Sequence, residues 1–334
     1  SIAGGLVGFG ASIAIANVTN TTQASLGNRN TINTDGNATI SASDDAVSSI
    51  PSVAPITQSV FGGQGGGITI DFNEARFTLT SDTTARVGTF AEIQRADDVT
   101  VSATQSANVT ARSEGYAGSL LAAAGGVKIT PTLNVTTSAT INDNAKIGNV
   151  ADISSLDVNA AATTAANTTL KVGKIALGAA LNDGKSIVNV TPTVTAHIGD
   201  ADVNAIGNVL NNATSTNTLT SKFESFAAGI VSAGAGKSDL TISGAVTADV
   251  ANGAIINGGL VNVGATNTSS ADAKGTQIGG GLVGKQAAIA LATIDMDTTA
   301  TVGDATINAT GPVGVFANST NTAIAKSGAF AATG

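Results

Sequence analysis

The sequence predicts an all-β chain, an elongated parallel β-solenoid built from about six imperfect repeats. Three observations predict it: self-similarity at a long fixed period, alternation of period two within each copy, and a composition without the bulky side chains of a compact core. The 334 residues include 40 Gly and no Trp, with 3% aromatic and 11% charged residues, whereas an ordinary globular domain carries about 25% charge. Small and β-branched side chains suit thin layers of closely spaced sheet. A hydrophobic fraction of 42% with regular alternation argues against disorder, which the Ser, Thr, Asn and Gly content would otherwise suggest.

The period rests on three markers in fixed order. A glycine-rich opening appears at Gly4-Gly5-Leu6-Val7-Gly8, Gly118-Ser119-Leu120-Leu121, Gly173-Lys174-Ile175-Ala176, Gly229-Ile230-Val231-Ser232 and Gly281-Leu282-Val283-Gly284, and Gly62 to Gly67 fills the second place. An Ala-x-aliphatic-Gly motif follows at Ala24-Ser25-Leu26-Gly27, Ala85-Arg86-Val87-Gly88, Ala196-His197-Ile198-Gly199 and Ala300-Thr301-Val302-Gly303. The fifth copy reads Ala248-Asp249-Val250-Ala251, and the third is either Ala139-Thr140-Ile141-Asn142 or Ala145-Lys146-Ile147-Gly148. An Ala heading a small-polar run comes last, as in Ala213-Thr214-Ser215-Thr216 and Ala265-Thr266-Asn267-Thr268. The spacing is roughly 52 residues late in the chain and nearer 60 early, a range that marks repeat architectures. Residues 1–334 therefore form one repeat array.

Within a copy, Val313, Val315, Ala317, Ser319, Asn321, Ala323 and Ala325 are mostly small or apolar, and Asn318, Thr320, Thr322 and Lys326 between them are polar. Odd positions there should face the interior and even ones the solvent, although Phe316 and Ile324 break the rule. Gly303-Asp304, Gly199-Asp200 and Asn142-Asp143 mark corners, since these residues tolerate φ > 0. One copy is too Ala-rich to bury a core of its own. Stacking supplies the missing partners, because each rung completes its neighbour's backbone hydrogen bonds. Whether a repeat makes one large coil or two smaller ones stays open. Residues 44–67 break the pattern with Pro51 and Pro55 among Ser and Gly, and proline is excluded from central strands. An inserted loop is expected there, as the best place for a specific contact.

The runs Gly4-Gly5-Leu6-Val7-Gly8-Phe9-Gly10-Ala11-Ser12-Ile13-Ala14 and Val99-Thr100-Val101-Ser102-Ala103-Thr104 resemble the repeats of very large bacterial surface proteins, the β-strand-repeat and filamentous-haemagglutinin-like adhesins. The resemblance covers essentially the whole chain. It implies a secreted, cell-surface or fibre-forming role with a parallel β-solenoid shaft, and it supplies no catalytic residues to carry over.

Chemistry is correspondingly sparse. His197 is the only histidine, and the matching places hold Ser25, Arg86 and Thr301, so an exposed strand position is expected rather than a catalytic base. With no Cys, zinc and nucleophile–His arrangements lack members. The acidic pairs Asp44-Asp45 and Asp97-Asp98 point to opposite faces of a strand and make no glycosidase dyad. The cluster Gly62 to Gly67 lacks the Asp of calcium-binding nonapeptides, and no phosphate-binding Gly-x-x-x-x-Gly-Lys-Ser/Thr motif occurs. Catalytic, cofactor-binding and metal-binding residues are therefore all expected to be absent, and an enzyme is not expected. Asn-x-Ser/Thr triplets at Asn17, Asn20, Asn37, Asn108, Asn134, Asn167, Asn189, Asn212, Asn267, Asn308 and Asn318 matter only if the source glycosylates asparagine.

A net charge of −8 offers no basic patch for nucleic acid. No apolar run is long enough for a transmembrane helix, and one Tyr without Trp speaks against the aromatic girdles of a membrane barrel. No signal peptide opens the chain, and Gly334 stops in mid-pattern, as expected of a window from a longer array. The expected function is an extracellular fibre or adhesin shaft at the cell surface, whose partners are further copies of itself, end to end or side by side, and matrix polysaccharide. The alternative is a solenoid that binds carbohydrate or ice through Thr rows, with Thr78-Leu79-Thr80, Thr130-Pro131-Thr132 and Thr191-Pro192-Thr193 as candidates that do not share one phase in every repeat.

Overall fold

The structure is a computed structural model that describes residues 2–3, 7–45 and 56–333. Every regular element among them is a strand. In chain order these are β1 (Ile2–Ala3), β2 (Val7–Leu26), β3 (Thr31–Asn33), β4 (Ala38–Asp45), β5 (Ile56–Val87), β6 (Glu92–Arg95), β7 (Asp98–Ile141), β8 (Lys146–Ile147) and β9 (Ser155–Ala176). There follow β10 (Ala179–Ile198), β11 (Asp202–Asn204), β12 (Val209–Ala228), β13 (Val231–Val250), β14 (Ile255–Gly258), β15 (Val261–Gly281), β16 (Val283–Val302), β17 (Thr306–Ala309) and β18 (Val313–Thr333).

Each copy has one plan: a long outbound strand, a turn, a short strand, and a long return strand that reaches a tight corner. All pairing between copies is parallel. The outbound strands share a register column through Val7, Ile68, Ala122, Ala179, Val231 and Val283. The return strands share one through Ala38, Val99, Leu156, Val209, Val261 and Val313. The short strands form a separate 6-stranded sheet, aligned through Ile32, Ile93, Ile147, Val203, Ile256 and Ile307. Strands β5 and β7 run through the corner without a break, so the outbound and return sheets are one 12-stranded sheet folded along that line. Partners one copy apart lie 61 residues apart at Asn28 and Thr89, 57 at Asp98 and Ser155, and 52 at His197 and Asp249, the shortening read from the sequence.

Each rung is long compared with the height of the described stack. A strand of 20 residues spans about 66 Å, while six rungs at about 4.8 Å rise only about 29 Å. The described molecule is a plate, wider than it is tall. The third Ala-x-aliphatic motif falls at Ala139-Thr140-Ile141, in register with Ala85-Arg86-Val87 and Ala196-His197-Ile198. Gly173, which heads a repeat-opening marker in the sequence, lies inside β9 opposite Phe226, and the corner of that copy is Leu177-Gly178. The reason is steric, because a Cβ on Gly173 would lie 2.5 Å from the Phe226 ring and 2.7 Å from Tyr116. Of residues 44–67, expected as a loop, Asp44-Asp45 close β4 and residues 56–67 belong to β5. Backbone pairing needs no side chains, so Gly62, Gly63 and Gly65 join the ladder opposite Gly115, Tyr116 and Gly118. Residues 46–55 lie outside the described residues; the next copy has only Ala107 and Asn108 between the same register points.

Turns between outbound and short strands are tied rung to rung by side chains. Asn28 Oδ1 accepts from the Thr89 amide, Asp143 Oδ1 from Asp200 and Asn252 Oδ1 from Asp304. The turns place Arg29, Phe90 and Asn144 at φ near +57° to +58°, and Gly253 at +85°. An asparagine ladder runs up the short sheet, Asn308 Nδ2 donating to Asn257 at 2.8 Å and Asn257 Nδ2 to Asn204 at 2.7 Å.

The interior is graded along the rung. Where the short sheet closes the section, Ile93, Ile147, Val203 and Ile256 meet Val190, Val194, Leu219 and Ile242 in one apolar cluster. Farther along, inward Ala, Ser, Thr and Asn alternate with larger groups, and a second apolar cluster holds Val127, Ile129, Leu170, Val172 and Phe223. Buried Thr164, Asn217, Ser269 and Asn267 make a hydrogen-bonded band up the return sheet. Bulk on one sheet is matched by glycine on the other. Phe223 is fully buried between Gly184 and Gly236, where a Cβ would lie 2.1 Å and 1.8 Å from its ring.

Candidate functional site

Strand alternation sends every second side chain of both long sheets outward, and register stacks these into columns. Three zones result. Toward the short sheet lies a plateau rich in hydroxyls and amides, with Asp82, Arg86, Asp249 and Asp297 interspersed. One column on the outbound face reads Asn17, Thr78, Thr132, Asn189, Thr241 and Thr293. One on the return face reads Ser106, Thr163, Thr216, Thr268 and Thr320. Hydroxyls and amides thus repeat at about 4.8 Å between rungs and about 6.6 Å along each strand. Thr78 and Thr132 of the Thr-x-Thr pairs read from sequence lie in the first column, with Asn where Thr is missing, whereas Thr130 pairs with Arg76 and Thr193 with Ala245. Phase continuity is visible in register rather than in residue identity.

Next toward the corner comes a band of paired charges. Lys185 and Asp183 (3.3 Å), Lys237 and Asp239 (2.6 Å), and Lys274 and Asp272 (2.6 Å) are outward neighbours two residues apart on one strand. Lys222 pairs with Glu224 at 2.5 Å, and Lys171 reaches the same carboxylate at 3.8 Å. The Lys222 hydrogen bond holds the Glu224 carboxyl below its usual range, and Arg76 does the same for Glu74. Lys128, Lys185 and Lys237 share a column, a like-charge stack relieved by these carboxylates.

The corner itself is apolar. Leu121, Leu177, Ile230 and Leu282 occupy successive corners and are 55–69% exposed. Phe226, Ile278 and Phe330 form a column on the return side, and Val231 and Val283 pair on the outbound side. Beside this edge, a recess of about 440 Å³ opens on the outbound face over Gly125 and Gly126, between Phe72 and Leu181.

Beneath the edge the interior becomes polar. Lys174 and Asp71 are both fully buried and lie 2.9 Å apart. Burial pushes the Lys174 amine below its usual 10.5, and Asp71 partly offsets this. The outbound column at this depth reads Gly10, Asp71, Gly125, Asn182, Gly234 and Gln286, so glycine alternates with a long polar group. Gln277 Nε2 crosses above Gly234 to donate to Asn182 at 2.6 Å and Gln286 at 2.8 Å. Asn182 Nδ2 donates to Ser225 and to the Phe226 carbonyl. Gly125, with φ +149°, brings its backbone so close that a Cβ would lie 1.9 Å from the Asp71 carbonyl oxygen. Asp71 Oδ1, Asn73 Oδ1 and Thr69 Oγ1 are buried without a protein partner. Sequence reasoning missed this cluster, although Lys174 stands at an inward phase between Val172 and Ala176, and a charge at such a phase was the available signal.

The residues singled out from sequence do not converge. His197 points outward on β10, half-buried, with Nδ1 2.7 Å from Asp249 of the next rung; that hydrogen bond raises its pKa above the usual 6.5. Asp44 accepts from Ser81 and Asn20, and Asp98 accepts from Ser155 at 2.7 Å. Asp97 anchors the backbone instead, its amide donating to the Gly36 carbonyl. Of the Asn-x-Ser/Thr triplets, Asn267 is buried and bonded to Ser319 and Asn321, and Asn37 and Asn308 serve the ladder. Among the described residues no three His, Cys, Asp or Glu converge as metal ligands, and no helix is long and apolar enough to cross a membrane. Comparison with family models, characterised proteins and solved structures finds no match.

Proposed function

We propose that the chain is a segment of β-solenoid shaft, a structural extracellular fibre or adhesin stalk whose work is to stack rungs and present their outer faces. One observation supports this reading: three sets of parallel strands stay paired from the first described rung to the last, with register shifts only at Ile32/Asn33 and Gly66/Ile68, and both end rungs leave one side of the ladder unpaired. Edges that avoid pairing are usually blunted by charge, proline or bulges. Strand β2 has none of these over its 20 residues and β18 carries only Lys326, while β4 ends in Asp44-Asp45 and β16 carries Lys285, Asp295 and Asp297. A further rung, from the same chain or another copy, would extend the stack head to tail, and a heterologous contact of this kind grows into a filament.

The test is assembly itself. Purified chain should form unbranched filaments with a spacing near 4.8 Å along the axis, seen by electron microscopy and fibre diffraction. Ala292→Lys with Ala323→Lys puts inward charges on the last rung and should stop growth. Particles of constant length at all concentrations, unaffected by these substitutions, would overturn the proposal. The hydroxyl plateau favours a second reading, that the shaft binds a regular surface such as crystalline polysaccharide or ice. Pull-down on insoluble glycans and thermal hysteresis measurements decide it, and Thr216→Lys should abolish either activity.

A further inference from the structure

We infer that the apolar corner edge is a lateral interface at which two copies of this chain lie side by side. Nothing in the fold requires apolar residues there. The side chains point to solvent, and one outward column farther along the outbound face holds only Thr and Asn. Leu121, Leu177, Ile230 and Leu282 nevertheless stand on successive corners, all more than half exposed. With the flanking Phe226 and Ile278 columns, the edge presents on the order of 1,000 Å² of apolar surface, above the few hundred Å² typical of a monomer. Two such edges together would bury about 2,000 Å², the range of stable dimers.

Geometry points to a second copy as the occupant. The corner side chains recur at the rung spacing, so two edges match in pitch along their whole height. The recess of about 440 Å³ beside the edge is the concave seat that a convex edge needs, and a twofold arrangement lets each edge enter its partner's recess. Lys185, Lys237, Lys274 and Lys222 beside the edge are neutralised by Asp183, Asp239, Asp272 and Glu224, which leaves only the separated Lys285 and Lys326 without an ion pair among the described lysines there. A lipid surface is normally gripped by an uncompensated basic belt around an apolar wedge, and this band, in a chain of net charge −8, supplies none. Lateral pairing is independent of end-wise stacking, since it uses different residues and changes particle width rather than length.

The experiment compares wild type with Leu177→Lys/Ile230→Lys/Leu282→Lys, whose new side chains face solvent, after circular dichroism confirms that both fold. In sedimentation velocity, run on the Ala292→Lys/Ala323→Lys background to suppress stacking, the parent should dimerise and the triple variant at least tenfold more weakly. Because the chain has no Cys, Leu177→Cys alone adds one thiol to the edge and should form a disulfide dimer under mild oxidation far faster than Thr216→Cys. Equal cross-linking rates, or dimerisation untouched by the triple substitution, would overturn the inference. So would a parent that stays monomeric and floats with phosphatidylcholine vesicles, which would assign the edge to lipid. Filaments of normal length but single width in the triple variant support lateral pairing; double-width particles that never lengthen support it too, and tell instead against the shaft reading.

Discussion

Phe223 gives the sharpest test of the packing rule. Its ring lies between two glycines of the facing sheet, so Gly236→Ala sets a methyl carbon 1.8 Å from Cε1 and 2.2 Å from Cζ. Ordinary carbon contacts are about 3.5–4.0 Å, so the ring must move by roughly 2 Å. It cannot retreat toward Gly184, whose own Cβ position is 2.1 Å from Cε2. The cost should reach the upper end of overpacking, about 3 kcal/mol. Phe223→Ala leaves a void instead and should cost about 3–5 kcal/mol. In the double variant the added methyl falls inside that void, so its penalty vanishes and the pair is less destabilised than the sum by about 1–3 kcal/mol. Urea unfolding followed by circular dichroism gives the totals, and hydrogen exchange of β12 and β13 amides shows whether the loss is local. Additivity within about 0.5 kcal/mol would refute the claim that ring and glycine share one space.

Three further outcomes follow from the same geometry. Asp71→Ala strands the Lys174 ammonium in the interior and should cost about 3–5 kcal/mol, whereas Asp71→Leu with Lys174→Met should be near neutral; urea midpoints compare them. Because Lys174 is depressed below 10.5 in the fold, the unfolded chain binds more protons between the folded value and 10.5, and stability should rise with pH across that window. Lys174→Met should flatten this rise in a series of melting curves. His197 behaves oppositely: its pKa is raised above 6.5 by Asp249, so its contribution is complete below 6.5 and is lost as pH climbs through the folded value. For so accessible a pair the amount is at most about 1 kcal/mol, and Asp249→Asn should erase the dependence, read from the His197 ring shift by NMR. Asn257→Ala removes both links of the asparagine ladder and should cost about 1–2 kcal/mol, with faster hydrogen exchange confined to β11, β14 and β17.

Much of the fold was legible in the sequence because period and alternation are backbone properties. The number of copies, the early-to-late shortening and the inward phase of Val313 to Ala325 follow from spacing alone. The structure puts Val313 and Val315 opposite the buried Val261 and Val263. Gly173 shows what spacing alone leaves open. A glycine that admits a neighbour's aromatic ring looks identical, in one dimension, to a glycine that lets the chain turn. The short strands β3, β8 and β11 were not separable from turns, since two or three residues carry no readable alternation. The surface zones were hidden for another reason. A column of Thr, Asn and Ser is one chemical feature spread over residues some fifty positions apart, and matching by identity breaks it wherever one hydroxyl replaces another. The buried Lys174 and Asp71 were missed because they lie 103 residues apart, on facing sheets whose proximity depends on where the corner falls.

The glycine beat in the outbound column has a genetic consequence. With Gly125 and Gly234 set between Asp71, Asn182 and Gln286, odd and even copies are not interchangeable, although their outlines are. Excising the single copy that holds Gly234 would press Asn182 against Gln286, and excising the one that holds Asn182 would leave two gaps together. Removing two adjacent copies keeps the beat. A gene of this kind should gain and lose length by doublets.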